Sequence, residues 1–328
     1  MSNIQSKLST KDEELLQLAK LTLDRYEINV KEVFYLVEET NIFFKVMDQS
    51  GNSYALKLFQ EESSTLEDNL AEIFMINLVT KNSNISLPSV IQAKDGSYVQ
   101  FINSRRLALY TWLEGDDFSG KESDELFIKF GELTAQLHQS TYGVSIPDTV
   151  SPKRWDKVFY YNGETAVYKN EEYKNVLTAE YYELMDKIIP FLDKALLSYY
   201  QKNEQHIQLI HADLNPWNVK VYEDELRILD FEEALLGLPV HDISIMLYYY
   251  DYEENIDFDR VKKLYFQGYE KVCPLPSFTD YDIDLLMTAR RINFLNYILL
   301  LSDNPESFIT TNIQRVNDFI NKYNIQLP

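Results

Sequence analysis

Along this chain the spacing of apolar residues changes from the period of a strand to that of a helix. Residues 31–38, 42–48 and 53–59 are rich in β-branched and aromatic types, with apolar and polar positions alternating, and the last two runs are joined by Gln49-Ser50-Gly51-Asn52. Such runs predict antiparallel strands with tight turns. Ahead of them, Thr10 with Glu13 has the form of a capping box, and leucines at 15, 16, 18, 21 and 23 carry a helix to about Tyr26. The segment 65–81, "TLEDNLAEIFMINLVTK", sets Leu66, Leu70, Ile73, Phe74 and Asn77 at helical spacing. Alternation around Asp95-Gly96 then predicts a hairpin, and 107–113 a further strand.

After the polar stretch "LEGDDFSG" the period lengthens. Residues 123–140 and 178–203 read as amphipathic helices, the second expected to kink or split at Pro190. Short strands follow at 207–210, 219–222 and 226–230, and from Asp242 onward the pattern is helical throughout. The expected class is α+β, with a small antiparallel-sheet lobe carrying one main helix (1–112), a hinge (113–120) and a large, mostly helical lobe (121–328).

Composition narrows the function classes. The chain has 328 residues, of which 45% are hydrophobic, enough for a sizeable core. Its formal net charge of −21 opposes nucleic acid and anionic membrane surfaces, because binding to both is built on Lys and Arg. The same field suits a soluble protein and would attract a cationic substrate. A single cysteine, Cys273, excludes an internal disulfide framework and fits a reducing compartment. "MSNIQSKLSTKDEELL" has no basic segment followed by an apolar one, so the expected location is the cytoplasm.

The candidate chemistry lies in "LIHADLNPWNV", residues 209–219, and in "LDFEE" from Leu229. Asp213 and Asn218 fall in a polar gap between two predicted strands, and Asp230 ends the next one. Oxygen ligands of this kind suit Mg²⁺ held together with phosphates. In phosphoryl transfer a carboxylate accepts the proton of the attacking hydroxyl, while an Asn and a second Asp hold metal. That assigns Asp213 as base and Asn218 and Asp230 as metal ligands, with His211 as a structural member of the loop. In "YALKLF", Lys57 sits in mid-strand, where a charge needs a reason, and lysines so placed contact nucleotide phosphates. Its ion partner is Glu72 or Glu67, and Glu72, flanked by Ala71 and Ile73, is preferred.

From "VEETNIFFKV" through "LYTWLEGDDF" and "FGELTAQLHQST" to "LIHADLNPWNV" and "RILDFEEALLGLPVHDIS", the chain resembles the aminoglycoside phosphotransferase and choline kinase superfamily, whose fold is like that of protein kinases. Arg154-Trp155-Asp156 makes it most similar to the bacterial homoserine-kinase-like or stress-kinase-like branch. The resemblance implies an ATP- and Mg²⁺-dependent transfer to a small-molecule hydroxyl, on an aminoglycoside, an amino alcohol or a homoserine-like acceptor. It further implies that Asn41 lies near the triphosphate, that residues 110–113 offer backbone groups to adenine, and that Asp242 braces the catalytic loop.

Several positions depart from the protein-kinase pattern. The loop "VEETNIFF" has no glycine, Glu232 replaces the glycine of "DFG", no "APE" segment follows, and Asn215 stands where Ser/Thr protein kinases usually carry a lysine. These differences favour a small acceptor. A stress-type protein kinase and a non-catalytic nucleotide-binding protein are the alternatives. Glu232 and Glu233 read equally as ligands of metal or acceptor and as a solvated loop.

Overall fold

A computed structural model describes residues 10–61, 64–160, 166–174, 177–251, 255–301 and 305–327. The leading segment "MSNIQSKLS", part of the stretch read for a targeting signal, lies outside them. The class is α+β, as expected, and the chain divides into two compact units. One is formed by the chain up to Asp116 together with Ile146–Ser151 and Val221–Glu232, and the other by Asp117–Ser145, Pro152–Lys220 and Glu233 onward.

In the first unit, helix α1 (Thr10–Leu23) precedes strands β1 (Val30–Glu38), β2 (Ile42–Asp48) and β3 (Ser53–Phe59). Helix α2 (Leu66–Asn82) and strands β4 (Val90–Ile91), β5 (Gln100–Ile102) and β6 (Arg105–Thr111) complete the sheet region, ordered β1-β2-β3-β6-β4 with β5 also on β6. Alternation decides which residues go inside. On β2, Ile42, Phe44 and Val46 are buried in one cluster with Leu15, Leu18 and Leu23 of α1 and Leu56 and Leu58 of β3. Each such side chain contributes about 1.5–3 kcal/mol on burial.

Two local readings are revised here. Asp95-Gly96 does form a tight turn, with Gly96 at φ 83°, but β4 and β5 do not pair with each other. Both hydrogen-bond to the longer β6, which offers each of them a complete ladder. The reciprocal capping box belongs to α2, where Thr65 accepts from the Asp68 N–H and Asp68 accepts from that of Thr65, whereas Thr10 is already within α1.

The second unit is mainly helical. After the two-residue strand β7 (Asp116–Asp117) come α3 (Asp124–Thr141), the short strand β8 (Lys153–Arg154) and α4 (Ala179–Lys202), which Pro190 does not split. Strand β9 (Gln208–Ile210) leads to the candidate loop and to β10 (Val219–Tyr222), β11 (Glu225–Ile228) falls in the segment that belongs to the first unit, and β12 (Leu235–Gly237) is again in the second. Helices α5 (Pro239–Tyr250), α6 (Phe258–Val272), α7 (Asp280–Leu301) and α8 (Glu306–Lys322) close the chain. α3 and α6 touch backbone to backbone, since a Cβ on Gly131 would lie 1.9 Å from the Tyr265 carbonyl oxygen. Strand β12 is the central one, pairing antiparallel with β9 and parallel with β8, and β9, which delivers His211, is an edge strand that is nonetheless buried along its length. Among the described residues no helix is long and apolar enough to cross a membrane.

Candidate active site

Two sets of polar side chains stand out, one in each unit. In the first, Lys57 projects from the middle of β3 on the face opposite Leu56 and Leu58, and that face is closed as well. Lys57 is 2% exposed, and its ammonium lies 3.1 Å from Glu72 Oε2 of α2. Glu67 is exposed, so the helix turns only Glu72 toward the lysine. Tyr110 of β6 donates to Glu72 Oε1 at 2.9 Å.

A second carboxylate, Glu232, reaches Lys57 Nζ at 3.0 Å and accepts a hydrogen bond from the Asn41 amide. Asn41 is buried, and its own Oδ1 accepts from the Gln60 N–H. Glu232 therefore belongs to the lysine cluster and not to a solvated loop. Burial opposes the charge on Lys57, yet the carboxylates of Glu72, Glu232 and Asp230 hold the ammonium above the usual lysine range. Burial pushes Glu72 upward, against the pull of the lysine. Asp230 lies two residues beyond β11 rather than within it, in the left-handed backbone region at φ 59°. A β-carbon is strained there, and such strain concentrates where a side chain must be aimed.

Of residues 110–113, the Thr111 and Trp112 N–H groups already donate to the carbonyls of Ser89 and Ser53.

The second set surrounds Asp213. Its Oδ2 accepts from Asn215 Nδ2 at 3.0 Å and from Asn218 Nδ2 at 2.9 Å, and its Oδ1 accepts from Arg290 Nη2 of α7 at 2.6 Å. Asn218 also donates to the Asp213 carbonyl, so its amide nitrogen is committed and its side-chain oxygen is the atom left to face a cation. Asn215 in turn accepts from the N–H groups of Trp217 and Asn218, which turns the chain around Pro216.

The loop is held from beneath by Asp242 of α5. This fully buried carboxylate accepts from the N–H groups of His211 at 3.0 Å and Ala212 at 2.7 Å, and contacts His138 Nε2 at 3.1 Å. Burial alone would raise it, but the His138 hydrogen bond and the charges of the neighbouring histidines hold it below the usual aspartate range. Ala212 sits at φ 63°, a strained conformation for alanine that these two bonds fix immediately before Asp213. His211 is fully buried and its Nδ1 accepts from the Asp213 N–H at 3.3 Å, so it shapes the loop. Asp242→Asn is expected to lower stability by about 2–3 kcal/mol, since charge-assisted bonds weaken together, and to reduce turnover with the loop. Urea unfolding measures it, and an unchanged midpoint contradicts the brace.

Sequence reasoning missed two partners. The sequence gives Glu232 two equal readings, and Arg290 carries no motif; its one signal is the Arg290-Arg291 pair within the mainly apolar α7. Of the aromatic residues Trp155, Trp217 and Tyr248 to Tyr250, Trp217 is 52% exposed, with its ring 5.2 Å from that of Tyr249. Trp155, Tyr248 and Tyr250 are buried and offer no open surface. Glu233 accepts from the Tyr160 hydroxyl at 3.2 Å.

One unit thus holds a buried lysine–glutamate pair, and the other a loop whose half-buried aspartate has three donors. Residues 37–275 match the phosphotransferase enzyme family, and the chain belongs to it. A homoserine kinase of Mesorhizobium japonicum is 23% identical over 260 residues, covering 76% of this chain and 74% of its own. Among solved structures, the amicoumacin kinase hAmiN in complex with AMP-PNP, Ca²⁺ and Ami superposes with a TM-score of 0.72 at 17% identity, over 96% of each chain. A microcompartment-associated aminopropanol kinase does so at 0.69 and 17%, over 92% of this chain and 94% of its own. These likenesses show a kinase-like fold.

Among the described residues, no three His, Cys, Asp or Glu side chains gather to hold a metal ion. Asn218 in one unit and Asp230 in the other each carry a hard oxygen donor of the kind Mg²⁺ accepts.

Proposed function

We propose that this protein transfers the γ-phosphate of ATP, with Mg²⁺, to the hydroxyl of a small amine-bearing molecule such as an amino alcohol or a homoserine-like amino acid. The observation that carries this reading is the half-buried, three-donor setting of Asp213 in a chain of the phosphotransferase family. Asp213 accepts the hydroxyl proton, and Lys57, kept charged by Glu72, pairs with the nucleotide phosphates with Asn41 beside them. Asn218 and Asp230 would each offer Mg²⁺ an oxygen donor, and the ion would supply positive charge to the phosphate oxygens. The acidic balance of the chain and the exposed Trp217 ring favour an acceptor with a cationic amine, which can lie over an aromatic face. The two curated and structural relatives named for homoserine and aminopropanol lend the amino-alcohol class their weight. The cytoplasm supplies both ATP and a reducing setting for Cys273.

The test has two arms. Calorimetric titration with MgATP is expected to show binding, and ADP release is expected to rise when a panel of amino alcohols, hydroxylated amino acids and aminoglycosides is supplied. Transfer of labelled phosphate to protein but to no member of the panel would point to a protein kinase. Binding without transfer to any acceptor would point to a nucleotide-binding protein with no catalytic role.

A further inference from the structure

Arg290 is the long-range partner of the candidate base. It projects from α7, seventy-seven residues beyond Asp213 in sequence, and its Nη2 donates to Asp213 Oδ1 at 2.6 Å. The side chain is 9% exposed, its guanidinium carbon stands 5.3 Å from the Phe294 ring, and the Tyr249 hydroxyl engages it as well. An arginine enclosed in this way has few alternative orientations. The neighbouring Arg291 provides a contrast within one helix. It is equally buried and pairs with Asp251 at 3.2 Å, and burial lowers it to about 10. Arg290 moves the other way, since burial opposes its charge but Asp213 and Tyr249 hold it well above the usual range.

The loop itself brings no positive charge to the place where phosphate would arrive. Residues 209–219 contain no lysine or arginine, and their histidine is buried with its ring turned to the loop backbone. A carboxylate awaiting a phosphoryl group under those conditions would repel it. The guanidinium removes much of that repulsion, and with Asn215 and Asn218 on the other oxygen it fixes the plane of the carboxylate.

We infer that Arg290 is the positioning residue of Asp213, supplying from α7 the positive charge that the loop lacks and acting on the transfer step rather than on nucleotide binding. This rests on the phosphotransferase reading above. Arg290 bonds to Asp213 and is engaged by Tyr249, neither of them assigned to the nucleotide, so its loss should leave MgATP affinity in place. Lysine in its stead keeps the charge but loses the planar fork that grips an oxygen in one orientation.

The experiment uses the full chain, with ADP release followed on MgATP and the best acceptor of the panel, beginning with L-homoserine. Arg290→Met is expected to lower kcat by about 100-fold with KM for MgATP within about threefold of wild type, and Arg290→Lys to retain about a tenth of kcat. Guanidinium chloride at tens of millimolar should restore part of the turnover of Arg290→Ala and none of that of Asp213→Asn. Arg291→Met serves as the control for burial alone and should cost stability without this loss of kcat. Equal kcat in wild type and Arg290→Met overturns the inference, as does a loss of kcat matched by Arg291→Met. Should Arg290→Met not fold, Arg290→Lys decides: kcat within twofold of wild type overturns the inference, and a tenfold loss at constant KM supports it. A wild-type protein that neither binds MgATP nor turns it over overturns the phosphotransferase reading and this inference with it, whereas an active wild type with an unimpaired variant overturns this inference alone.

Discussion

Asp213→Asn is expected to lower kcat by about 10²- to 10⁴-fold, the usual contribution of a positioned general base, while MgATP still binds. The substitution is nearly isosteric and leaves an oxygen for Arg290, so the fold should survive. Its new amide, however, cannot accept a proton from a hydroxyl, and it would present donors to the donors of Asn215 and Asn218. Asp213→Ala is a poorer probe, because it strands a buried guanidinium and mixes a stability loss with the chemical one. The measurement is kcat beside a calorimetric Kd for MgATP and a melting temperature. Turnover within threefold of wild type would remove Asp213 from the base role. Lost turnover together with a lower melting temperature and lost binding would instead mean that the loop had collapsed.

Lys57→Met is expected to be the most damaging change in the first unit, costing about 3–5 kcal/mol because it leaves a buried ion pair with one partner. Glu72 is 4% exposed, and burial already pushes its carboxyl upward against the restraining lysine charge. Without Lys57 that push is unopposed, and Glu232, 3.0 Å from the same ammonium, loses its partner too. Adding Glu72→Gln to the variant should recover much of the stability, since glutamine keeps an acceptor for the Tyr110 hydroxyl and carries no charge. MgATP affinity should stay low in both variants, because phosphate binding needs the cation and not merely a folded cluster. Chemical denaturation separates the two effects, and a double variant that regained full nucleotide affinity would show that Lys57 serves only the fold.

These outcomes depend on contacts that differ in how far the sequence foretold them. Strands 42–48 and 53–59 appear at those residues, because the seven-residue alternation of 42–48 buries one face, which permits a single register, and 53–59 pairs along it. The Lys57–Glu72 pair was legible for a related reason: a charged residue within such a strand is tolerated only if an opposing element answers it, and the next helix offered two glutamates, one of them flanked by apolar neighbours. The hairpin expected around Asp95-Gly96 was not, because turn chemistry fixes where the chain reverses and not which strand the arms will pair with. Two-residue β4 and three-residue β5 gain more from the long edge of β6 than from each other.

By itself the sequence determined the α+β class, the spacing of Asp213, Asn218 and Asp230 along the chain, and the lysine strand with its helix glutamate. All of these are written in residues close together in the chain or in the periodicity of one element. Only the tertiary structure decided that Glu232 completes the cluster on Lys57, that Asp242 holds Ala212 in a strained turn before Asp213, and that the cation beside Asp213 comes from α7. Those pairings are separated by 175, 30 and 77 positions, and a buried charge leaves no local pattern to say which distant partner neutralises it.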